Sequence, residues 1–143
     1  MSYSYDYPRP AVTTDVILIT NDRPAQVLLI KRANNPFQAL WAFPGGFVEM
    51  DEDLPIAALR ELQEETGIKD VTITQFKTYG AIHRDPRHRT ITVVYYAILD
   101  RTIKAQGMDD AADARWFAID DLPQLAFDHH DIIKEVIEAL NLN

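Results

Sequence analysis

The sequence predicts an α/β fold, a mixed β-sheet with a helix on each face. Three observations lead there. Most of the chain reads as short, β-branched or apolar segments punctuated by turn residues. Only residues 53–66 and 128–140 carry clear helical signals, and they lie far apart. Two such helices, separated by strands, cover a sheet from opposite sides.

The first ten residues, MSYSYDYPRP, form an irregular arm in which Tyr3, Tyr5 and Tyr7 alternate. That arm could lie along a surface, or reach a partner subunit in a homodimer. Residues 11–20 (AVTTDVILIT) are a buried strand, 21–24 (NDRP) a turn, and 26–32 (QVLLIKR) a second strand, so the pair forms a hairpin. Residues 33–39 are a loop broken by Asn-Asn-Pro. Residues 40–48 (LWAFPGGFV) are two short strands flanking a Pro-Gly-Gly break.

Helix 53–66 starts with Asp53 as cap and Pro55 in the first turn, and stops at Gly67. Ala58, Leu59 and Leu62 face the sheet. Strands at 71–79 and 90–99 are joined by the charged loop 83–89 (HRDPRHR), and 114–118 (ARWFA) is a further short strand. Helix 128–140 carries the stripe Ile132, Ile133, Val136, Ile137 and Leu140, with Asp128 as cap. There is no repeat, low-complexity tract or linker, so residues 1–143 read as one domain.

Composition narrows the function. A net charge of −8 argues against a nucleic-acid or anionic-membrane binder, but leaves room for a small anionic ligand at a local site. The absence of cysteine excludes disulfides, a thiol nucleophile and thiolate metal sites. No apolar run approaches the ~20 residues of a membrane span. The N-terminus has no apolar targeting core, so a cytoplasmic location is expected.

The stretch RELQEETGI, residues 60–68, places Glu61, Glu64 and Glu65 within five positions. On a helix they share a sector about 100° wide, beside the flank that Leu59 and Leu62 bury. A Glu run is usually a solvated face. Such a face carries Lys or Arg four residues on to relieve repulsion; here Glu61 and Glu64 are followed at that spacing by Glu65 and Ile68. Several carboxylates with no His or Cys instead suit a hard cation, Mg²⁺ or Mn²⁺.

Upstream residues sharpen this. Gly46, five residues, Glu52, seven residues, then Arg60-Glu61-Leu62-Gln63-Glu64-Glu65-Thr66-Gly67-Ile68 spells G-x5-E-x7-R-E-U-x-E-E-x-G-U, with U aliphatic. The pattern spans 23 residues, fixes nine of them, and resembles the signature of the Nudix hydrolases. The resemblance covers residues 10–141 and implies an α/β/α sandwich. It also implies Mg²⁺-dependent hydrolysis of a nucleoside diphosphate linked to another group. By the same resemblance, Glu61 and Glu65 are direct metal ligands, Glu64 is a direct or water-mediated one, and the Gly45 carbonyl adds an oxygen. Arg60 orients Glu52 or a ligand glutamate, and Glu52 either holds a metal through water or helps position the attacking water. The family's general base is either a box glutamate or a later acidic residue, for which Asp109, Asp110 and Asp113 are candidates, although a solvated acidic loop accounts for at least two of them.

Substrate choice rests on softer signals. Arg84, Arg87 and Arg89 crowd one loop against the sign of the whole chain, which suits a phosphate clamp. The runs at 7–10, 41–46, 85–87 and 127–129 resemble the ADP-ribose pyrophosphatase branch, implying cleavage to AMP and ribose 5-phosphate. Phe37, Phe47 and Tyr79 are core residues or stacking platforms for a base. His129 and His130 read as capping or surface residues in a helix's first turn, and His83 as a cleft or loop residue. The alternatives are another nucleotide sugar, a dinucleotide or a nucleoside triphosphate. A non-catalytic ligand sensor is a further alternative; the intact box and the lack of about 60 residues for a DNA-binding domain weigh against it.

Overall fold

The computed structural model describes residues 2–142. Its elements run β1 (Ala11–Thr20), β2 (Gln26–Arg32), β3 (Trp41–Ala42), β4 (Gly45–Phe47), α1 (Leu54–Thr66), β5 (Thr74–Tyr79), β6 (Thr90–Leu99), β7 (Ala111–Ala118) and α2 (His129–Ala139). The order matches that read from the sequence. Three boundaries move: β4 begins at Gly45, so the Pro-Gly-Gly break shrinks to Phe43 and Pro44; the 71–79 strand starts at Thr74; and the 114–118 strand starts three residues earlier, at Ala111.

The strands form one mixed sheet in the order β3-β2-β1-β6-β5, with β7 added to β2 and β4 to β1. β1 and β6 run parallel over their whole length, from Ala11 opposite Thr90 to Thr20 opposite Leu99. The other pairs are antiparallel. β1 meets β2 near Ile19 but meets β4 at Thr13, Thr14 and Asp15. The sheet therefore splits along one edge of β1, and the Pro-Gly-Gly segment fills the split.

Alternation along the central strands feeds two cores. Val16, Leu18, Leu28 and Ile30 pack with Ala58 and Leu62 of α1 on one face. Ile17, Ile19, Val27 and Leu29 pack with Ile132, Ile133 and Val136 of α2 on the other. The period of two in β1 and β2 thus places one helix on each side, an α/β/α sandwich.

Both helix starts correct the sequence reading. Asp53 and Asp128 occupy the cap positions, but neither side chain bonds the helix amides. Asp128 spends its carboxylate on Arg84 instead, at 2.9 and 2.7 Å. Gly67 does end α1 in the left-handed region, at φ 78°, where a side chain would be strained. No helix among the described residues is long and apolar enough to cross a membrane.

Candidate active site

The carboxylates of α1 are organised by one guanidinium. Arg60 donates to Glu52 at 2.6 and 2.9 Å, to Glu61 at 2.9 Å and to Glu64 at 3.2 Å, and it reaches the Phe47 carbonyl at 3.2 Å. The expectation that the acidic run lacks a relieving cation is therefore corrected. Arg60 stands four residues before Glu64, rather than after it, and bridges sideways to Glu61. Its hydrogen bond to Glu52 holds Glu52 below the usual carboxylate range, and the bonds to Glu52 and Glu61 raise Arg60 in turn.

The three glutamates do not share one wall. Glu64 points to solvent, with its side chain 42% exposed. Glu61 and Glu65 line a cleft of about 370 Å³ together with Gly45 and Gly46. Glu65 is buried, and its Oε1 accepts the Gly45 N–H at 2.8 Å. Burial, and then the charges of Glu61, Asp15 and Asp110, push its pKa up to about 8. Burial also raises Glu61, against the pull of Arg60.

The glycines are there because nothing larger fits. A Cβ on Gly46 would stand 2.5–2.7 Å from the Glu61 carboxylate, and one on Gly45 would collide with the Thr14 carbonyl and with Asp15. Backbone and carboxylates meet only because those side chains are missing. Beneath the turn lies Asp15, whose Oδ2 accepts the Thr92 hydroxyl at 2.5 Å. Asp15 was missed at the sequence level, although a lone charge inside the apolar strand AVTTDVILIT was the available signal.

The same cleft also carries cations and aromatic rings. Arg32, Arg84 and Arg87 line it with Phe47 and Phe127. Arg32 was also missed; its signal was a charge ending an apolar strand. It donates to the Pro36 carbonyl at 2.7 Å and lies 5.0 Å from the Phe127 ring centre. Burial and the nearby Arg87 charge both lower its pKa. Arg87 sits 5.2 Å from the Phe47 ring and grips Asp85 at 2.8 and 3.1 Å. Burial works against ionisation of Asp85, but its bonds to Arg87 hold its pKa low.

The three-arginine clamp is not assembled as expected. Arg84 is only 4% exposed, with two nitrogens committed to Asp128. Arg89 does not line this cleft; it donates to the Gly80 and Ala81 carbonyls at 2.7 and 3.3 Å. Of the trio, Arg84 and Arg87 line the cleft, and Arg87, with two nitrogens on Asp85, is the more exposed of the two. Of the later acidic residues, Asp110 lines the cleft, whereas Asp113 binds Arg115 at 2.7 Å. Asp109 takes a left-handed backbone, φ 55°, just before Asp110. Phe47 lines the cleft, Phe37 packs edge-on against Phe127 at 4.8 Å, and Tyr79 belongs to the α2-side core. His129, read as a capping or surface residue, is instead buried at the cleft floor.

Comparison with known proteins gives the family and the fold. The NUDIX domain family model matches residues 9–140. An ADP-ribose pyrophosphatase of Methanocaldococcus jannaschii is 40% identical over 136 residues, covering 94% of this chain and 78% of that protein. The ADPR responsive transcriptional repressor NtrR of Acinetobacter baylyi is 36% identical over 141 residues. That match covers 95% of this chain, which spans only 56% of the repressor's length. Among solved structures, the NUDIX domain of Shewanella oneidensis NrtR, complexed with ADP ribose, superposes with a TM-score of 0.87 at 35% identity. It covers 95% of this chain and 94% of that one. By sequence, fold and the box at 46–68, the chain belongs to the Nudix hydrolase family.

Proposed function

We propose that this chain hydrolyses the pyrophosphate bond of ADP-ribose, with Mg²⁺ or Mn²⁺, to AMP and ribose 5-phosphate. The observation that carries the reading is one cleft that holds carboxylates and cations together. Glu61, Glu65 and the two glycines line it with Arg32, Arg87 and Phe127. The 40% identity to an ADP-ribose pyrophosphatase and the 0.87 likeness to an ADP-ribose-bound domain support the choice of substrate.

The donor set fits a hard divalent cation. Glu61 and Glu65 offer carboxylate oxygens one helical turn apart, with the Gly45 carbonyl and Glu64 as further candidates. Among the described residues, no three acidic or imidazole groups converge into a closed metal cage. That suits Mg²⁺, which is commonly held by one or two carboxylates, water and the substrate's own phosphates. An ion there supplies charge neutralisation of the diphosphate and a more acidic water.

The chain's own groups do the rest. Arg60 orients Glu52, Glu61 and Glu64 through its planar fork. The Gly45 amide fixes Glu65. Water attacks one phosphorus, the bridging P–O bond breaks, and the water's proton passes to Asp110 or to a box glutamate that lines the cleft. Arg32 and Arg87 receive the phosphate oxygens of the substrate, and Phe127 offers an apolar face to a sugar or base.

The test is a product screen with Mg²⁺ over ADP-ribose, nucleotide sugars, dinucleotides and nucleoside triphosphates. AMP and ribose 5-phosphate from ADP-ribose are expected. No turnover across the panel would sink the enzyme reading, and turnover of triphosphates alone would move the substrate. A second reading, an ADP-ribose sensor, is favoured by the likeness to NtrR and the NrtR domain. It predicts binding of ADP-ribose without turnover.

A further inference from the structure

His129 is a buried side chain at the cleft floor to which the carboxylate chemistry assigns no task. Only 3% of it is exposed, and its ring stacks on Phe43 with centres 4.5 Å apart. Its Nδ1 accepts the Phe43 N–H at 3.2 Å. In the neutral ring the proton then sits on Nε2, which lies 3.8 Å from Asp15 Oδ2. Burial favours that neutral form.

Phe43 immediately precedes Pro44-Gly45-Gly46. It is itself buried, so its amide has no water to fall back on. The next residues carry the contacts that matter for chemistry: the Gly45 amide on Glu65, and Gly46 against the Glu61 carboxylate. His129 is held just as firmly from behind. Its neighbour Asp128 takes both nitrogens of Arg84, and the Ala126 amide bonds the Trp41 carbonyl at 2.8 Å. The start of α2 is thus tied to the 84–90 loop on one side and to β3 on the other.

We propose that His129 is a positioning residue: through Nδ1 it fixes the Phe43 amide, and so sets the glycine turn against Glu65 and Glu61. The consequence for metal binding rests on the proposed role of those two glutamates. A packing role alone requires only volume at this position, whereas positioning requires a hydrogen-bond acceptor at the place of Nδ1. Asn places Oδ1 at the same number of bonds from the backbone; Gln places its oxygen one bond too far; Leu has none.

The experiment compares His129→Asn, His129→Gln and His129→Leu with the wild type. Amide hydrogen exchange at Phe43 and Gly45 is read by NMR in EDTA, and Mn²⁺ binding by the loss of the free-ion EPR signal. Unfolding midpoints are measured alongside. The Asn variant is expected to keep Phe43 protection and Mn²⁺ affinity within about threefold. The Gln and Leu variants should lose about tenfold in each, equivalent to ~1.4 kcal/mol, in the range for an unmade buried hydrogen bond. Wild-type protection and affinity in the Leu variant would overturn the proposal. So would an Asn variant as impaired as Gln at equal stability, which also decides the matter if Leu does not fold. Failure of the wild type to bind Mn²⁺ or turn over ADP-ribose sinks the functional reading, while the exchange comparison still decides the positioning role.

Discussion

Replacing Glu65 by Gln should move stability and activity in opposite directions. Burial, with the charges of Glu61, Asp15 and Asp110, takes the folded-state pKa from 4.5 to about 8, and the Gly45 amide holds it back only in part. Between those two values the unfolded chain has lost a proton that the folded chain keeps. Stability therefore falls as pH rises through that window. At 1.36 kcal/mol per pKa unit, the metal-free fold loses on the order of 5 kcal/mol by pH 8 from this group. Gln cannot ionise, has nearly the same shape, and still offers an oxygen to the Gly45 amide. In EDTA at pH 8, urea unfolding should find Glu65→Gln more stable than wild type by a few kcal/mol, with the difference vanishing towards pH 4.5. Mg²⁺ at a hundredfold excess over its dissociation constant should add ~2.7 kcal/mol to the wild type, and far less to the variant. Turnover by the variant should drop to a small fraction. A variant less stable than wild type at pH 8, or one with wild-type turnover, would refute the reasoning.

The two glycines should fail differently. A Cβ on Gly45 meets backbone, so Gly45→Ala should lower the unfolding midpoint, by ~2 kcal/mol or more in stability. A Cβ on Gly46 meets the movable end of Glu61, so Gly46→Ala should fold normally but lose at least tenfold in kcat with Mg²⁺. Arg84→Met leaves Asp128 without its partner and should cost about 3 kcal/mol in urea unfolding; Arg84→Lys should recover little, because an ammonium cannot reproduce the fork. Arg32→Gln and Arg87→Gln should each raise KM for ADP-ribose about tenfold, the scale of one lost charge-assisted contact, whereas Arg89→Gln should leave KM unchanged. A KM for Arg89→Gln raised as far as that for Arg87→Gln would restore Arg89 to the clamp that the structure breaks up.

Element order was legible because the local signals are strong and agree. Residues 11–20 and 26–32 are mostly β-branched or apolar, and the 128–140 stripe has an unbroken helical period. The glutamate box was legible because its spacing is fixed by one helix and one turn. What escaped are partnerships between residues far apart in the chain. Asp128 had the composition and place of a cap, yet a guanidinium 44 residues away outbids the helix amides for its carboxylate. The Arg84, Arg87 and Arg89 cluster suggested three like roles because sequence lists them side by side. A tight turn sends consecutive side chains in different directions: one into the protein, one along the cleft and one back onto the turn's carbonyls. Arg32 and Asp15 were invisible for the converse reason. Asp15 interrupts an apolar strand and Arg32 ends one beside Lys31, and only the split between β2 and β4 along β1 brings them to the same cleft.

That split also changes what the acidic helix is. A run of glutamates on a free surface would share one environment and titrate together. Here the sheet inserts the backbone of β4 against one part of the run and leaves another part to solvent, so the carboxylates acquire different settings. Glu52, Glu61 and Glu64 are gathered by Arg60, which neutralises and orients them without removing them from reach. Glu65 is left to a single amide and a low-dielectric wall, so its charge is the one most in need of a cation. Two oxygens that face the same cleft therefore differ in basicity and in rigidity, one held by a salt bridge and one by the backbone. An ion seated between them would be gripped by Glu65 for charge and by Glu61 for position. The substrate's phosphates would then meet Arg32 and Arg87 in the same cleft, where Arg87 is already held by Asp85.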